Sequence, residues 1–404
     1  MTQDVELLIA GGGLIGLLLA NACAGAGLSV VIAEPQNPAA MLGDGFDGRC
    51  SAIAYGSHQV LNSLGLWSEI AAEAEPIREI RIADDDSPLF LHYDHRELDA
   101  DTPLGYIVEN RVLRRVLVER IGSLGNLSFL APVSVGSVET SPYAAVAALS
   151  DGRRAVARLI AAADGHSSRL RRAAGIGTAE WRYRQTGIVT TVRHERPHCG
   201  IAVEHFLPAG PFAILPMTGN RSSIVWTEQA ELAARLVGLS DADFAAELSA
   251  RFGDFLGAVE PVGPRWAYPL GLMLAERYAA DRLALVGEAA HVIHPIAGQG
   301  LNLGIRDVAA LAELVIDTRR LGLDIGDSEM LSRYQRWRRF DVLALAAVTD
   351  GLNRLFSNTA APLRLARDLG LAVVHRLPAL KRLLMRDAMG LVGDLPRLVR
   401  GEPL

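Results

Sequence analysis

The sequence predicts an α/β fold with an inserted antiparallel β-sheet and a helical C-terminal region. An apolar strand at 5–10 runs into a glycine-rich turn and a helix at 14–26, which is the opening of a strand–helix–strand unit. Residues 180–270 contain mainly short apolar or alternating stretches between turn signals, a pattern that is typical of antiparallel strands. After Asp307, helical periodicity dominates the rest of the sequence.

The composition is that of a globular protein. The chain has 404 residues, of which 50% are hydrophobic and 21% are charged, and this length is sufficient for two domains or one large α/β body. The net charge of -6 gives no reason to expect a nucleic-acid partner. The cysteines lie far apart in the sequence, which predicts free thiols in a reducing compartment. They are Cys23, Cys50 and Cys199.

Neither a metal site nor a membrane span is expected. His194, His198, Cys199 and His205 lie near one another in the sequence, but their spacing is not that of a zinc site. The N-terminus lacks the basic segment of a secretory signal, and no apolar stretch reaches the roughly 18 to 20 residues that a span requires. We therefore expect a cytoplasmic protein and leave open peripheral contact with the inner membrane surface.

The first glycine-rich turn has the form GxGxxG, with Gly11, Gly13 and Gly16 at the glycine positions. In a dinucleotide-binding fingerprint, the first glycine makes the turn, the second lets the backbone approach a pyrophosphate, and the third allows close helix–strand packing. A second strand, predicted at 29–33, ends in Glu34, where the fingerprint expects an acid that binds ribose hydroxyls. The acid favours FAD or NAD over NADP, because it would repel a 2′-phosphate. The fingerprint does not separate FAD from NAD.

A second glycine-rich stretch follows a short apolar strand predicted at 283–286. An acid, Glu288, lies just past this strand, and the loop between it and a helix predicted at 301–314 contains Gly298 and Gly300. These glycines would let the backbone approach a flat or charged ligand, and the start of the helix favours negative charge. An ordinary strand–loop–helix unit is the alternative.

Two arginines are candidates for binding an anion. Arg49 lies in a polar loop soon after the first strand–helix–strand unit, from which it could reach a pyrophosphate or a flavin edge. A solvated loop arginine is the alternative for this position. Arg111 lies in the first turn of a helix predicted at about 112–124. Helix electrostatics favour an acid at this position, so a cation there indicates an anionic partner.

The inserted sheet would form one wall of a substrate cavity. A hairpin is predicted from strands at 80–83 and 89–93, and a helix at 242–252 interrupts the other strands. The apolar strands predicted at 201–207 and 212–217 would suit a hydrophobic tail.

The C-terminal segment is basic. Residues 353–404 contain nine Arg and Lys against four Asp and Glu, which gives this segment +5 and the rest of the chain -11. Leucine and valine interleave with the cations at 369–374, 377–384 and 391–399. This pattern favours a basic amphipathic surface that binds a membrane interface or a partner. A helical bundle that caps the protein and has a solvated basic face is the alternative.

Three ordered motifs resemble those of the group A flavoprotein aromatic hydroxylases, the family of p-hydroxybenzoate hydroxylase. They are GGGLIG with Glu34, DGHSSRLR at 164–171, and GEAAHVIHPIAGQGLNLGIRD at 287–307. The second resembles the DG motif of that family and the third its GD motif, in which Glu288 replaces the usual aspartate. The segments GYIVENRVL at 105–113 and GPFAILP at 210–216 resemble the ubiquinone-biosynthesis branch, and His294-Pro295 is more similar to the UbiH type within it.

The resemblance implies a Rossmann-type FAD-binding domain of the GR2 kind with NADPH or NADH as electron donor and O2 as co-substrate. The FAD-binding domain would comprise 1–75, 105–179 and 270–330, the substrate-binding sheet 76–104 and 180–269, and the C-terminal helical region 331–404. By motif position, the cofactor-binding residues would be Gly11, Gly13, Leu14, Ile15, Gly16, Glu34, Arg49, Arg111, Asp164, Gly165, Gly287, Glu288, Pro295, Gly298, Gln299, Gly300, Leu301 and Asn302.

The implied reaction is hydroxylation of the ring of a polyprenylated phenol in ubiquinone biosynthesis, through a flavin C4a-hydroperoxide. Because the chemistry belongs mostly to the cofactor, the protein chiefly has to exclude water, and no acid–base pair needs to stand out. His291 and His294 are the nearest titratable candidates for a catalytic role, with a structural loop histidine as the alternative for each. The basic C-terminal helices would contact the membrane or a biosynthetic complex.

Two other functions remain open at this stage. An FAD-dependent oxidoreductase could act on another aromatic or isoprenoid substrate without inserting oxygen. A structural subunit of a biosynthetic assembly could hold flavin without catalysis, although a scaffold has no need of the glycine-rich loop at 298–304.

Overall fold

The computed structural model describes residues 2–43, 49–84, 90–357, 374 and 376–404. The strands are β1 (Thr2–Ala10), β2 (Val30–Ala33), β3 (Cys50–Ala54), β4 (Ala74–Ile77), β5 (Glu79–Asp84), β6 (Phe90–Asp94), β7 (Gly105–Glu109), β8 (Leu127–Leu130), β9 (Val135–Thr140), β10 (Ala145–Leu149), β11 (Arg154–Ala162), β12 (Thr178–His194), β13 (Ile201–Leu207), β14 (Gly210–Met217), β15 (Arg221–Gln229), β16 (Val259–Ala275), β17 (Ala279–Ala280), β18 (Leu283–Leu285) and β19 (His291–Val292). The α-helices are α1 (Leu14–Gly25), α2 (Pro38–Met41), α3 (Tyr55–Ser63), α4 (Trp67–Ile70), α5 (Asn110–Gly122), α6 (Arg169–Ala173), α7 (Ala230–Val237), α8 (Asp241–Phe252), α9 (Gln299–Arg320), α10 (Ser328–Phe356) and α11 (Pro378–Ala388).

The first sheet is mainly parallel and has the strand order β17-β18-β11-β1-β2-β8. β10 pairs antiparallel with β11, and β9 pairs with β10. Leu7, Leu8 and Ile9 of β1 are fully buried, as expected for a parallel strand whose two faces are both covered. α1 is buried from Gly16 to Ala24 and packs against α5 and α9. The predicted strand–helix–strand opening is therefore present.

The second sheet has the order β19-β16-β12-β15-β14-β13-β5-β6 and is antiparallel except where β13 pairs with β5. β5 and β6 form the predicted hairpin, and 85–89 of its turn lie outside the described residues. A third, antiparallel sheet of three strands has the order β3-β7-β4. The division of the chain into three regions stays a prediction.

Two elements of the inserted region differ from the sequence-based expectation. β16 is a strand of 17 residues that pairs with β12 along most of its length, although Pro261, Gly263 and Pro264 interrupt its apolar pattern. Register shifts in the β12–β16 pair accommodate the irregular stretches. α7 was not predicted, and it is a short helix that buries Ala233 and Leu236 in the hydrophobic cluster beneath this sheet.

The C-terminal region is helical only in part. α10 spans 29 residues, and α11 contains all of the segment 377–384 except Leu377. The expectation that the whole C-terminal region is helical is wrong for the segment 391–399. This segment forms no α-helix, and only its end belongs to a short 3-10 turn, Arg397–Arg400. Leu398 and Val399 are buried in the core of the first sheet, so this segment adds no amphipathic surface. Most of 369–374 lies outside the described residues.

Candidate active site

The carboxyl ends of four parallel strands meet at one edge of the first sheet. Ala10 at the end of β1 aligns with Ala33 of β2 and with Ala162 of β11. Ala162 in turn aligns with Leu285 at the end of β18. The motifs recognised in the sequence follow these strand ends directly, so the register of the sheet brings them together. This edge is where open α/β sheets bind their ligands.

A cavity of about 1530 Å³ lies between this edge, the face of the second sheet and α10. Residues from five separate sequence segments that were predicted to bind the cofactor line it together. They are Gly13, Leu14, Ile15, Arg49, Gly165, Gly287, Glu288, Pro295, Gly298, Gln299, Gly300, Leu301 and Asn302. The predicted residues Gly11, Gly16, Glu34, Arg111 and Asp164 are not part of this lining.

The glycine turn between β1 and α1 is fixed by close backbone contacts. A Cβ atom at Gly16 would lie 2.0 Å from the carbonyl oxygen of Gly11, and one at Gly11 would lie 2.3 Å from that of Ala163. Gly11 also has a φ of +106°, which disfavours any side chain. Gly13 differs, because a Cβ there would meet no atom within 4 Å. The start of α1 therefore faces open space with free backbone N–H groups, an arrangement that suits an anion.

The carboxylate of Glu34 holds the glycine turn by hydrogen bonds to backbone N–H groups. Its Oε2 accepts a hydrogen bond of 2.6 Å from the backbone N–H of Gly12, and its Oε1 accepts one of 2.7 Å from that of Gln36. The side chain is buried, so these two bonds replace water around the carboxylate. Each oxygen keeps a further lone pair with which it can accept another donor.

Asp164 follows β11 and has one satisfied and one unsatisfied oxygen. Oδ2 accepts a hydrogen bond of 2.9 Å from the backbone N–H of Arg169 at the start of α6. Oδ1 is buried and has no partner among the described residues. An unpaired buried acceptor costs about 1–3 kcal/mol, so this atom fits a ligand that donates a hydrogen bond. Together with the open space at Gly13, it shows that the residues present fit a dinucleotide cofactor.

The loop before α9 is locked against β3. Asn302 Oδ1 accepts a hydrogen bond of 2.9 Å from the N–H of Ala54, and Nδ2 donates to the carbonyl oxygens of Ala52 at 2.9 Å and Gly298 at 3.1 Å. Gly298 has a φ of +62°, and a Cβ at this position would lie 2.9 Å from that of Ala52. The side chain of Asn302 is thus fully engaged in holding the start of α9 toward the cavity. A Cβ at Gly300 would again meet open space.

The two histidines that were predicted as catalytic candidates are both buried. Nε2 of His291 lies 2.6 Å from Oδ2 of Asp307, and both side chains are buried. His294 is completely buried, packs edge-to-face against Tyr183, and does not line the cavity. Both of its ring nitrogens lack a partner among the described residues, and burial lowers its pKa to about 4. This geometry favours the structural alternative for His294. His291 also lines the cavity, so its catalytic role stays a prediction.

A network of buried charges joins α9 and α10 behind the cavity. Asp307 accepts a hydrogen bond of 2.7 Å from Nε of Arg338 and one of 3.0 Å from the backbone N–H of Gly287. Burial alone would raise the pKa of Asp307, but His291 and Arg338 outweigh it and hold the pKa below its ordinary value. Arg338 also pairs with Asp341 at 2.7 Å. The network fixes the position of the segment that carries Glu288, whose exposed side chain lines the cavity.

The two arginine candidates differ in their position. Arg49 lines the cavity, and its guanidinium carbon lies 5.9 Å from the centre of the Trp266 ring. Nε of Arg111 donates a hydrogen bond of 2.6 Å to Glu109, away from the lining. Arg114, one turn later on α5, lines the cavity instead and was not predicted from the sequence. The spacing of three residues along a helix is the signal that would have found it.

The second sheet supplies an apolar half of the cavity that includes one carboxyl group. The apolar residues on this side include Ile82, Leu91, Phe206, Leu215 and Val225. Glu204 lies among them on β13 and was not predicted. Burial in these surroundings raises its pKa to about 7. Its strand, IAVEHFL, carries apolar residues on both faces, so the pattern alone did not indicate which face is turned inward.

Residues 4–345 match the family described as FAD binding domain. The chain is 52% identical over 402 residues to ubiquinone hydroxylase UbiL of Rhodospirillum rubrum, an alignment that covers 99% of this chain and 93% of that protein. The chain belongs to the FAD-dependent aromatic hydroxylases. This hydroxylase is also 34% identical to 3-demethoxyubiquinol 3-hydroxylase of Escherichia coli, over 96% of its own length and 99% of the relative.

The fold of the hydroxylase is similar to that of p-nitrophenol 4-monooxygenase PnpA from Pseudomonas putida. The TM-score is 0.81, and the superposition covers 97% of this chain and 99% of the other at 21% identity. This likeness confirms the predicted fold class. The family match and the curated relatives confirm the family and FAD as cofactor, and NAD(P)H and O2 are typical of the class. Among the described residues, no helix combines the length and apolar character that crossing a bilayer would require.

Proposed function

We propose that the hydroxylase adds one oxygen atom to the aromatic ring of a polyprenylated phenol during ubiquinone biosynthesis. The observation that carries this proposal is the composition of the cavity. One half is lined by glycine-rich turns and helix starts that fit FAD, and the other half is an apolar sheet face continuous with it. The relatives named as ubiquinone hydroxylase and 3-demethoxyubiquinol 3-hydroxylase support a substrate of this class.

The residues at the edge of the first sheet would hold FAD. The backbone of Gly13 and the start of α1 would bind the pyrophosphate, and the free lone pairs of Glu34 would accept hydrogen bonds from the adenosine ribose. Oδ1 of Asp164 would accept a hydrogen bond from the cofactor, which would remove the cost of its unpaired burial. Glu288 would contact the ribitol, with an extra methylene relative to the usual aspartate.

The loop before α9 would lie along the pyrimidine edge of the flavin ring. Bound FAD, reduced by NAD(P)H, supplies transfer of one oxygen atom from O2 to the substrate ring. The backbone N–H groups at the start of α9 would stabilise negative charge at that edge, and they are already oriented by Asn302. The apolar walls keep water away from the reacting atoms.

The apolar half of the cavity would bind the substrate and its prenyl tail. Ile82, Phe206 and Leu215 lie on neighbouring strands of the second sheet and turn the same face inward. Phe206 stacks on Phe356 at the end of α10, with ring centres 4.2 Å apart. Each Å² of apolar surface that a long isoprenoid removes from water contributes about 25 cal/mol to the free energy of binding. This half of the cavity would therefore dominate affinity for the substrate.

We also propose that α10 contacts the membrane surface that holds such a lipid. Phe340 is 79% exposed, and Leu343 and Val348 are exposed on the same helix. Val348 also lines the cavity, so this apolar patch adjoins the opening. Arg336 and Arg339 are exposed beside Phe340 and would interact with anionic headgroups.

The experiment that tests the function uses the purified holoenzyme with a geranylated phenol, NAD(P)H and isotope-labelled O2. We expect a yellow protein, oxidation of NAD(P)H that depends on the phenol, and one labelled oxygen in the ring of the product. Reduction of the flavin and turnover without labelled product would favour an oxidoreductase that does not insert oxygen. A flavin-bound protein that turns over no phenol would favour the scaffold.

A further inference from the structure

Glu204 lies on the inward face of β13. Ala202, Glu204 and Phe206 lie at alternate positions on one face of the strand, and all three line the cavity. The strand register places Ile82 of β5 on one side of Glu204 and Ala213 of β14 on the other. The carboxyl group is therefore surrounded by apolar side chains on a sheet face that otherwise suits a hydrocarbon.

Glu204 is half-buried, and its carboxylate has no hydrogen-bond partner among the described residues, in contrast to the fully buried acids. Glu109 accepts from Arg111 and Arg221, and Asp307 accepts from His291 and Arg338. A carboxyl group that is held among apolar side chains without a partner is costly, and it is normally retained only where something else satisfies it. The open side of Glu204 faces the cavity, so a ligand is the group that can do so.

Glu204 is close to the part of the cavity where the reaction would take place. Its neighbour on the same face, Phe206, belongs to one hydrophobic cluster with Ile296 and Phe356. Ile296 lies between Pro295 and the start of α9, in the loop that would face the flavin. The carboxyl group is thus placed on the sheet beside this loop, where an aromatic ring bound between sheet and flavin would lie.

The charge state of Glu204 suits proton transfer near neutral pH. Burial is the cause of its raised pKa of about 7, so both forms are populated. The titratable residues that line the cavity from β6, α10 and α11 are Tyr93, Asp341 and Asp387. Burial raises the pKa of Tyr93 to about 12, and Asp341 is paired with Arg306 and Arg338. A base with a pKa near the working pH is the most effective one.

We propose that Glu204 accepts the hydrogen bond of the substrate's phenolic hydroxyl and removes its proton during hydroxylation. The phenol O–H bond breaks, its electron pair stays on the phenol oxygen, and the proton forms a bond to a carboxylate oxygen of Glu204. The charge is delocalised into the ring, which makes the carbon that receives oxygen more nucleophilic. The oxygen atom supplied by O2 then forms a bond to that carbon, and the C–H bond there breaks as its proton passes to solvent water. The phenol oxygen takes its own proton back from Glu204, which returns the carboxylate to its starting state. This inference rests on the function proposed above.

The test compares binding of a geranylated phenol with that of its methyl ether, which cannot donate a hydrogen bond. Dissociation constants are measured on the holoenzyme from changes in the flavin absorbance. We expect the wild type to bind the phenol about tenfold to a hundredfold more tightly than the ether, because a hydrogen bond to a charged group has this strength. Glu204→Leu should reduce the ratio to about twofold or less.

A matched control and a second variant separate this role from a structural one. Glu75→Gln changes a carboxyl group on β4 whose pKa burial also raises but which does not line the cavity, and it should keep the wild-type ratio. Glu204→Gln keeps a hydrogen-bond acceptor but cannot take a proton. It should lower kcat about a hundredfold and abolish the rise of kcat with pH through about 7. FAD content and Tm establish that each variant is folded.

The outcomes are distinct. A Glu204→Leu variant that is folded, retains FAD and still prefers the phenol as the wild type does would overturn the inference while leaving the proposed function intact. If the wild type itself neither binds nor hydroxylates a prenylated phenol, the proposed function fails, and the inference fails with it.

Discussion

Nε2 of His291 and Oδ2 of Asp307 lie 2.6 Å apart in the interior of the protein, beneath the segment that carries Glu288. The same carboxylate accepts from Arg338 of α10. Asp307 therefore joins the glycine-rich loop, α9 and α10 at one point, and the guanidinium of Arg338 compensates its buried charge.

The first prediction concerns this junction. Asp307→Asn should lower the free energy of unfolding by about 3–5 kcal/mol, because Arg338 would remain buried with part of its charge uncompensated. Urea unfolding followed by circular dichroism measures the change. Asp151→Asn, which breaks an exposed pair with Arg153, is the control and should have no measurable effect. Equal stability of the two variants would contradict the structural role assigned to Asp307.

The second prediction concerns the turn between β1 and α1. Gly16→Ala should cost about 3 kcal/mol and abolish FAD retention, because the added Cβ would lie 2.0 Å from a backbone oxygen that cannot yield easily. Gly25→Ala, at the end of the same helix, meets no atom within 4 Å and should leave both properties unchanged. The measurements are Tm and the ratio of flavin to protein after purification. A yellow Gly16→Ala protein with wild-type Tm would refute the contact.

The third prediction concerns the exposed face of α10. The double variant Phe340→Ser, Leu343→Ser should weaken binding to anionic liposomes at least about tenfold, because it removes apolar surface that would enter the interface. Turnover of a short-chain, water-soluble phenol should not change. Leu321→Ser with Leu323→Ser removes exposed leucines after α9 and is the matched control. Co-sedimentation with vesicles measures binding, and equal loss in both double variants would argue against a specific surface.

The fourth prediction concerns stability and pH. Because burial raises the pKa of Glu204 from 4.5 to about 7, the folded protein binds more protons than the unfolded chain between these values. The free energy of unfolding of the wild type should therefore contain a contribution that falls as pH rises from about 4.5 to about 7. Glu204→Gln removes this contribution. The variant should gain up to about 3 kcal/mol relative to the wild type at about pH 8 and little at about pH 4.

Urea unfolding at several pH values measures this difference. Curves of stability against pH that run parallel for the two proteins would show that the carboxyl group of Glu204 is not held in an apolar environment. A difference of the opposite sign would show that a cation stabilises it instead.

The sequence was most informative where function depends on local backbone geometry. The fingerprint from Gly11 to Glu34 could be recognised because a tight turn, a close approach and a strand-end acid each require a specific residue type at a short spacing. The same reasoning located the loop around Gly298. Parallel strands then bring these segments to one edge of the sheet, so a one-dimensional pattern was sufficient to predict a three-dimensional cluster.

The sequence was less informative where function depends on distant contacts. The surroundings of His291 include Asp307 and Arg338, whose approach depends on how α9 packs against α10. The inward face of β13, and with it the position of Glu204, depends on its register with β5 and β14. β16 was missed because its proline and glycine residues suggest turns, whereas pairing with β12 holds it extended.

The glycines of the two glycine-rich segments differ in whether the fold itself leaves room for a side chain. At Gly11 and Gly16, any side chain strikes the backbone, so folding and cofactor loading must fail together. At Gly13 and Gly300, a methyl group meets only empty space, and it would occupy volume that the cofactor needs. An alanine at these two positions would give a properly folded protein that is permanently colourless, a reference state in which flavin chemistry is absent and the scaffold is unchanged.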